Sequence, residues 1–145
     1  MKPILFVDTD IVLDLLTKRE PFYAASAHLF SQAETGGVTL CVSSLTFANL
    51  FYILRKQFSA PHSHDVLKTF KQLVTVVAVD GTPIEQALNA GFTDFEGAIQ
   101  YFSALSAGCS ALITRNIRHY RKASLHVMTA EAYSATSKIG YPELK

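Results

Sequence analysis

The chain has 145 residues, 49% of them hydrophobic, enough for one ordinary domain to bury a sizeable core. A net charge of +1 excludes a global field directed at nucleic acid or membrane, so any steering must come from local clusters. No apolar run approaches a membrane span, Asp8 interrupts any secretory-signal core, and Cys41 and Cys109 sit in apolar runs without zinc or redox spacing, a pattern that predicts a cytoplasmic protein with reduced core thiols.

Ile4-Leu5-Phe6-Val7 is an unbroken apolar run, which predicts a strand over 3–8 that is buried on both faces and central in a parallel sheet. It stops at Asp8. A carboxylate placed directly after a buried strand is costly unless it is used or paired, and open α/β sheets bind ligands at the carboxyl ends of their strands. Asp8 is therefore the first candidate site residue. Residues 10–17 read as a short helix capped by Asp10, with Asp14 on its solvent face. Pro21 suits the first turn of a second helix, which carries Ala25, Leu29, Phe30 and Ala33 and ends at Gly36-Gly37. A strand over 38–42 follows. Ser43-Ser44 then caps a helix to about Lys56, with an apolar stripe of Leu45, Phe47, Ala48, Phe51 and Leu54.

A loop over 59–63 with exposed histidines His62 and His64 precedes a helix over 63–73 and a strand over 74–79. Thr82-Pro83-Ile84-Glu85 and Thr93-Asp94-Phe95-Glu96 are two capping-box matches. The first opens a helix to about Gly91. The second, with Glu96 reaching back to Thr93, opens one to about Ala107 that Gly108 stops. Strands over 110–113 and 125–128 follow, and Thr129 caps a last short helix. The expected organisation is one domain over 1–136 and a loosely held tail over 137–145. Strands alternating with long helical crossovers mean an α/β fold around a mainly parallel sheet.

Three places follow strand ends: Asp8-Thr9, the stretch from Ser43 to Asn49, and Thr114-Arg115-Asn116. Asp94, at the mouth of a helix, joins them. Oxygen ligands gathered at one sheet edge suit a hard divalent cation such as Mg²⁺ or Mn²⁺. Arg115, Arg118, His119, Arg121 and Lys122 crowd the segment after the fourth strand, with Tyr120 among them. Basic side chains beside the active edge hold phosphates, and the Tyr120 ring is a candidate base-stacking surface.

In this order the motifs resemble a known family. Val7-Asp8-Thr9-Asp10, Lys18-Arg19-Glu20-Pro21-Phe22, Ser43-Ser44-Leu45-Thr46-Phe47-Ala48-Asn49, Asp94 to Tyr101, and Thr114-Arg115-Asn116 together look like a PIN domain, the nuclease fold of many bacterial toxins. The resemblance runs from Lys2 to about Ala135. It implies a three-layer α/β/α sandwich with a central five-stranded sheet, and Mg- or Mn-dependent hydrolysis of RNA phosphodiester bonds. For the toxin members it also implies a cognate antitoxin and a homodimer. Asp8 matches the family's first acid. Asn49, Gly97 and Asn116 stand where the family usually has a glutamate and two aspartates. The resemblance thus implies a site at Asp8, Asn49 and Asn116. Asp94, one turn before Gly97 on the same helix face, is the candidate to replace the acid lost there, ahead of Glu96, so the expected catalytic set is Asp8, Asp94, Asn49 and Asn116, with Asp8 and Asp94 as the metal ligands. The implied nucleic-acid contacts are Thr9, Thr114, Arg115, Arg118 and Arg121.

Two rivals share these residues. With only one acid retained, the fold is also readable as a degenerate PIN domain that binds nucleic acid or protein without cleaving. Asp8-Thr9-Asp10-Ile11-Val12 also matches the Asp-x-Asp-x-Thr/Val signature of haloacid-dehalogenase-type phosphatases, whose first Asp is a nucleophile. That reading needs a late acidic pair, and after Ile113 the sequence supplies Thr-Arg-Asn instead.

Overall fold

A computed structural model describes residues 2–120 and 124–140. Its elements alternate: β1 (Ile4–Val7), α1 (Thr9–Leu16), α2 (Tyr23–Glu34), β2 (Thr39–Ser43), α3 (Ser44–Leu54), α4 (Ala60–Lys71), β3 (Thr75–Val77), α5 (Gly81–Asn89), α6 (Phe95–Ser106), β4 (Ala111–Ile113), a 3-10 helix (Ile117–Tyr120), β5 (His126–Met128) and α7 (Ala130–Gly140). Of the expected tail, residues 137–140 continue α7, and residues 141–145 lie outside the described ones, as do Arg121 and Lys122.

The five strands form one sheet in the order β3-β2-β1-β4-β5. Every pairing is parallel, with Leu5 opposite Leu40 on one side and Ala111 on the other. β1 is thus the centre, as its unbroken apolar run requires. Because side chains alternate along a strand, β1 feeds two cores. Leu5 and Val7 join Leu40, Val42 and Ile113 beneath α1, α2, α3, α4 and α7, where Ile11, Leu29, Leu50, Phe70 and Ala130 are buried. Phe6, Cys41 and Leu112 face the other way, onto Tyr101 and Ala104 of α6. The result is the expected three-layer α/β/α sandwich. Strand order reverses beside β1: the chain adds β2 and β3 on one side, then crosses to add β4 and β5 on the other. The gap between the carboxyl ends of β1 and β4 is therefore the switch point where such sheets bind ligands.

Several helix starts differ from expectation. Pro21 is not in the first turn of α2: it lies in the turn closed by Phe22 N on Arg19 O, and α2 starts at Tyr23 without a side-chain cap. At the other starts a side-chain cap decides. Asp8, not Asp10, caps α1: its carboxylate accepts from Thr9 N at 2.8 Å. Ser59 Oγ accepts from His62 N at 3.2 Å, so the expected loop residues are the first turn of α4, with Pro61 inside it. His62 and His64 are exposed on that helix, beside the Phe58 and Phe51 rings. Asp80 and Asp94 cap α5 and α6 in place of Thr82 and Thr93. Aspartate is a stronger N-cap than threonine, and here an aspartate lies within two residues of each expected one. In α3 the expected stripe holds in part: Leu54 is buried and Phe47 packs on the core, but Leu45 and Ala48 are exposed, and Thr46 and Leu50 are buried. The Ser43 cap holds the Thr46 backbone N–H at 3.3 Å.

Candidate active site

β1 delivers Asp8 to the switch point. Its N–H still donates to Ile113 O at 2.9 Å, so the ladder with β4 fixes the backbone there. The side chain is only 9% exposed and is met by donors on both oxygens. Oδ1 accepts from Thr9 N at 2.8 Å and, at 3.5 Å, from Gln100 Nε2 of α6. Oδ2 accepts from Thr114 Oγ1 at 2.8 Å and from the Tyr120 hydroxyl at 3.2 Å. Thr46 Oγ1 links the shell: it lies 3.4 Å from Gln100 Nε2, 3.2 Å from Ser43 Oγ and 3.4 Å from Thr9 Oγ1. This polar network sits within an apolar core, as a buried carboxylate requires.

Three further carboxylates surround Asp8. Asp10, in the first turn of α1, accepts from Asn116 Nδ2 at 2.5 Å. Glu96, in the first turn of α6, accepts from Asn49 Nδ2 of α3 at 2.8 Å. Asp94 caps α6 through Gly97 N at 2.7 Å and has His119 Nδ1 at 3.7 Å. Burial, and then the Asp8 charge, raise the Asp10 carboxyl above its ordinary range. Burial, then Asp8 and Asp94, do the same to Glu96. The Tyr120 hydroxyl, buried beside Asp8, is pushed far upward and stays a proton donor.

Asp8, Thr9, Asp10, Asn49, Asp94, Glu96, Gly97, Asn116 and His119 line one open cavity of about 500 Å³, rimmed by Leu13, Tyr52 and Ile53. Its carboxylates and amide oxygens are hard donors, and Asp10 and Glu96, raised by burial first and by the Asp8 charge second, are groups whose ionised forms a divalent cation would favour. In kind, then, the residues fit Mg²⁺ or Mn²⁺. They are not drawn together as a finished cage: among the described residues, no group of three or more His, Cys, Asp or Glu side chains is placed to hold a metal.

The PIN domain family model matches residues 5–118. The chain belongs to the PIN domain family. Ribonuclease VapC1 of Aquifex aeolicus is 22% identical over 134 residues, spanning 89% of this chain and 92% of that protein. The structure of DNA-bound VapBC from Salmonella typhimurium superposes with a TM-score of 0.66 at 16% identity, over 90% of this chain and 99% of that one. VapC20 of Mycobacterium tuberculosis, described as a sarcin-ricin loop cleaving toxin, superposes with a TM-score of 0.60 at 15% identity, over 74% and 86% of the two chains.

The four residues expected to be catalytic in this PIN domain, Asp8, Asp94, Asn49 and Asn116, line the same cavity. The two asparagines point amide N–H groups at Glu96 and Asp10, neutral donors where acids were the family expectation. Glu96 is thus held across the cavity and does not return to Thr93. Thr9 lines the cavity, whereas Thr114 is fully buried with its hydroxyl on Asp8. Arg115 is turned away: Nε and Nη2 grip Asp14 at 2.8 and 3.1 Å, and the guanidinium lies 4.0 Å over the Phe22 ring. Arg118 is exposed on the 3-10 helix, and Arg121 lies outside the described residues. Two expectations are corrected. Asp14 is not on a solvent face but fully buried, and Tyr120 is 3% exposed, its ring against α6 rather than open to a base. Gln100 was not expected at the site. Its only signal was a lone polar residue among Ala98, Ile99 and Tyr101 on the buried face of a helix.

Proposed function

We propose that this PIN domain is a divalent-metal-dependent ribonuclease of the VapC toxin kind. The observation that carries the reading is Asp8, fixed at the sheet's switch point in a cavity with three more carboxylates. Asp8 and Asp94 are the proposed metal ligands, and Asp10 and Glu96 are the neighbouring carboxylates able to complete the set. A cation bound there supplies water activation and offsets charge on the phosphate undergoing attack. The chain's own groups do the positioning. Thr114 and Thr9 N aim the Asp8 carboxylate, Asn116 holds Asp10, and Asn49 holds Glu96. Thr9 at the cavity wall and Arg118, the sequence neighbour of the cavity-lining His119, are the proposed phosphate contacts, and Arg121 is proposed with them from its place in the sequence. Thr114 and Arg115 serve by holding Asp8 and anchoring the loop through Asp14.

The name of the Aquifex aeolicus relative supports RNA as substrate. The VapBC complexes among the structural relatives support a cognate antitoxin as partner. We place the protein in the cytoplasm, as a homodimer; among the described residues no helix is long and apolar enough to cross a membrane. The test is cleavage of a labelled RNA panel in Mg²⁺ or Mn²⁺ by wild-type protein and Asp8→Asn. Cleavage by the wild type and its loss in the variant, with the fold retained, is the expected result. Equal cleavage by both would remove Asp8 from the chemistry. RNA binding without cleavage by either would favour the degenerate reading, which the four-donor shell around Asp8 also accommodates.

A further inference from the structure

Asp8 is held by more than its cavity needs. A carboxylate offers about four lone-pair directions, and here four donors occupy them. Thr9 N and Thr114 belong to the chain segments that leave β1 and β4, so they come with the fold. Tyr120 lies seven residues beyond the end of β4 and reaches Asp8 on the 3-10 helix. Its phenol lies directly over Gly97. A Cβ at 97 would stand 3.4 Å from both Cζ and the hydroxyl of Tyr120, and 2.8 Å from Asp94 Oδ2. Glycine at 97 therefore leaves room for two things at once, the phenol on Asp8 and the Asp94 cap on α6. Any side chain there would press on both.

We propose that Tyr120 competes with a divalent cation for Asp8, so that the Gly97–Tyr120 pairing keeps the metal affinity of this site low. The inference rests on the reading of Asp8 as the metal-binding centre. A cation approaching Oδ2 must displace the phenol or share the oxygen with it, and a neutral donor already relieves part of the charge that would attract the ion. Tyr120 is in this sense a positioning residue: it acts on metal through the carboxylate it holds.

The test is a calorimetric titration of Mn²⁺ alone into wild-type protein, Tyr120→Phe and the double variant Tyr120→Phe/Asp8→Asn. Tyr120→Phe removes one oxygen and keeps the ring over Gly97; Tyr120→Leu is a second route should the phenylalanine variant misfold. Removal of a hydrogen bond to a charged group is expected to tighten Mn²⁺ binding about tenfold or more. The gain should vanish when Asp8 is also changed. A role confined to packing predicts unchanged or weaker binding, and that result in a folded variant overturns the proposal, as does a gain that survives Asp8→Asn. RNA cleavage measured on the same samples separates the two readings. Tighter metal binding without cleavage by any variant overturns the ribonuclease and leaves the competition standing. Cleavage by the wild type with no gain in Tyr120→Phe does the reverse.

Discussion

Asp14 is fully buried and gives both oxygens to Arg115. A bidentate pair of this kind is geometrically demanding, and here the stack on Phe22 adds a cation–π contact. It ties α1 to the loop that carries Asn116, and through Asn116 to Asp10 in the cavity. Removing one partner of such a pair leaves a buried charge uncompensated, which typically costs about 3–5 kcal/mol, whereas replacing both by apolar residues is often near neutral. Arg115→Ala should therefore lower the denaturation free energy by an amount in that range. Asp14→Leu with Arg115→Met should recover most of it. An Arg115→Ala protein as stable as the wild type would mean that Asp14 finds another partner. None of this was legible from residues alone. A helical Asp at position 14 reads as surface, because its partner lies 101 residues further on. Asp8 was legible for the opposite reason, since the strand that buries it precedes it directly.

Individual elements are set by their caps, and at α6 the cap belongs to the site. Asp94 Oδ2 takes the Gly97 N–H at 2.7 Å. Loss of an aspartate N-cap usually costs about 1 kcal/mol, and asparagine caps nearly as well. Asp94→Ala should destabilise the protein by roughly that amount, while Asp94→Asn should leave stability almost unchanged. Mn²⁺ affinity discriminates further: a ligand role predicts that both variants bind weakly, a purely capping role that Asp94→Asn binds like the wild type. Periodicity and glycine stops made the existence and order of these helices legible in the sequence. The starts of α1, α4, α5 and α6 were misplaced by one to three residues, because competing Ser, Thr and Asp caps stand close together and only geometry chooses among them. In α3 the cap was foreseen, but a buried threonine between apolar neighbours gave no sign of its role, and Thr46 was not among the expected site residues.

At the scale of the whole molecule, the sheet order gathers distant acids at one edge. The sequence predicted five strands and a parallel sheet, but strand order is a long-range property, and the reversal beside β1 is what brings α6 to Asp8. The resulting crowding has a thermodynamic signature. Burial and Asp8 raise Asp10, and burial, Asp8 and Asp94 raise Glu96. A carboxyl with a higher pKa folded than unfolded holds its proton more tightly in the native state. Its contribution to stability is then complete below the unfolded pKa and is lost as pH rises through the folded one. Asp10→Asn with Glu96→Gln replaces both groups by neutral amides, which resemble the protonated acids. In metal-free buffer the double variant should match the wild type at low pH, where both carboxyls are protonated. It should become progressively more stable than the wild type as pH rises from the ordinary carboxylate range through the raised values, and the gap should then level off. Denaturant midpoints across that range measure the difference. A gap that is constant with pH, or that closes as pH rises, would show that the Asn116 and Asn49 amides already neutralise the cost of ionising these acids.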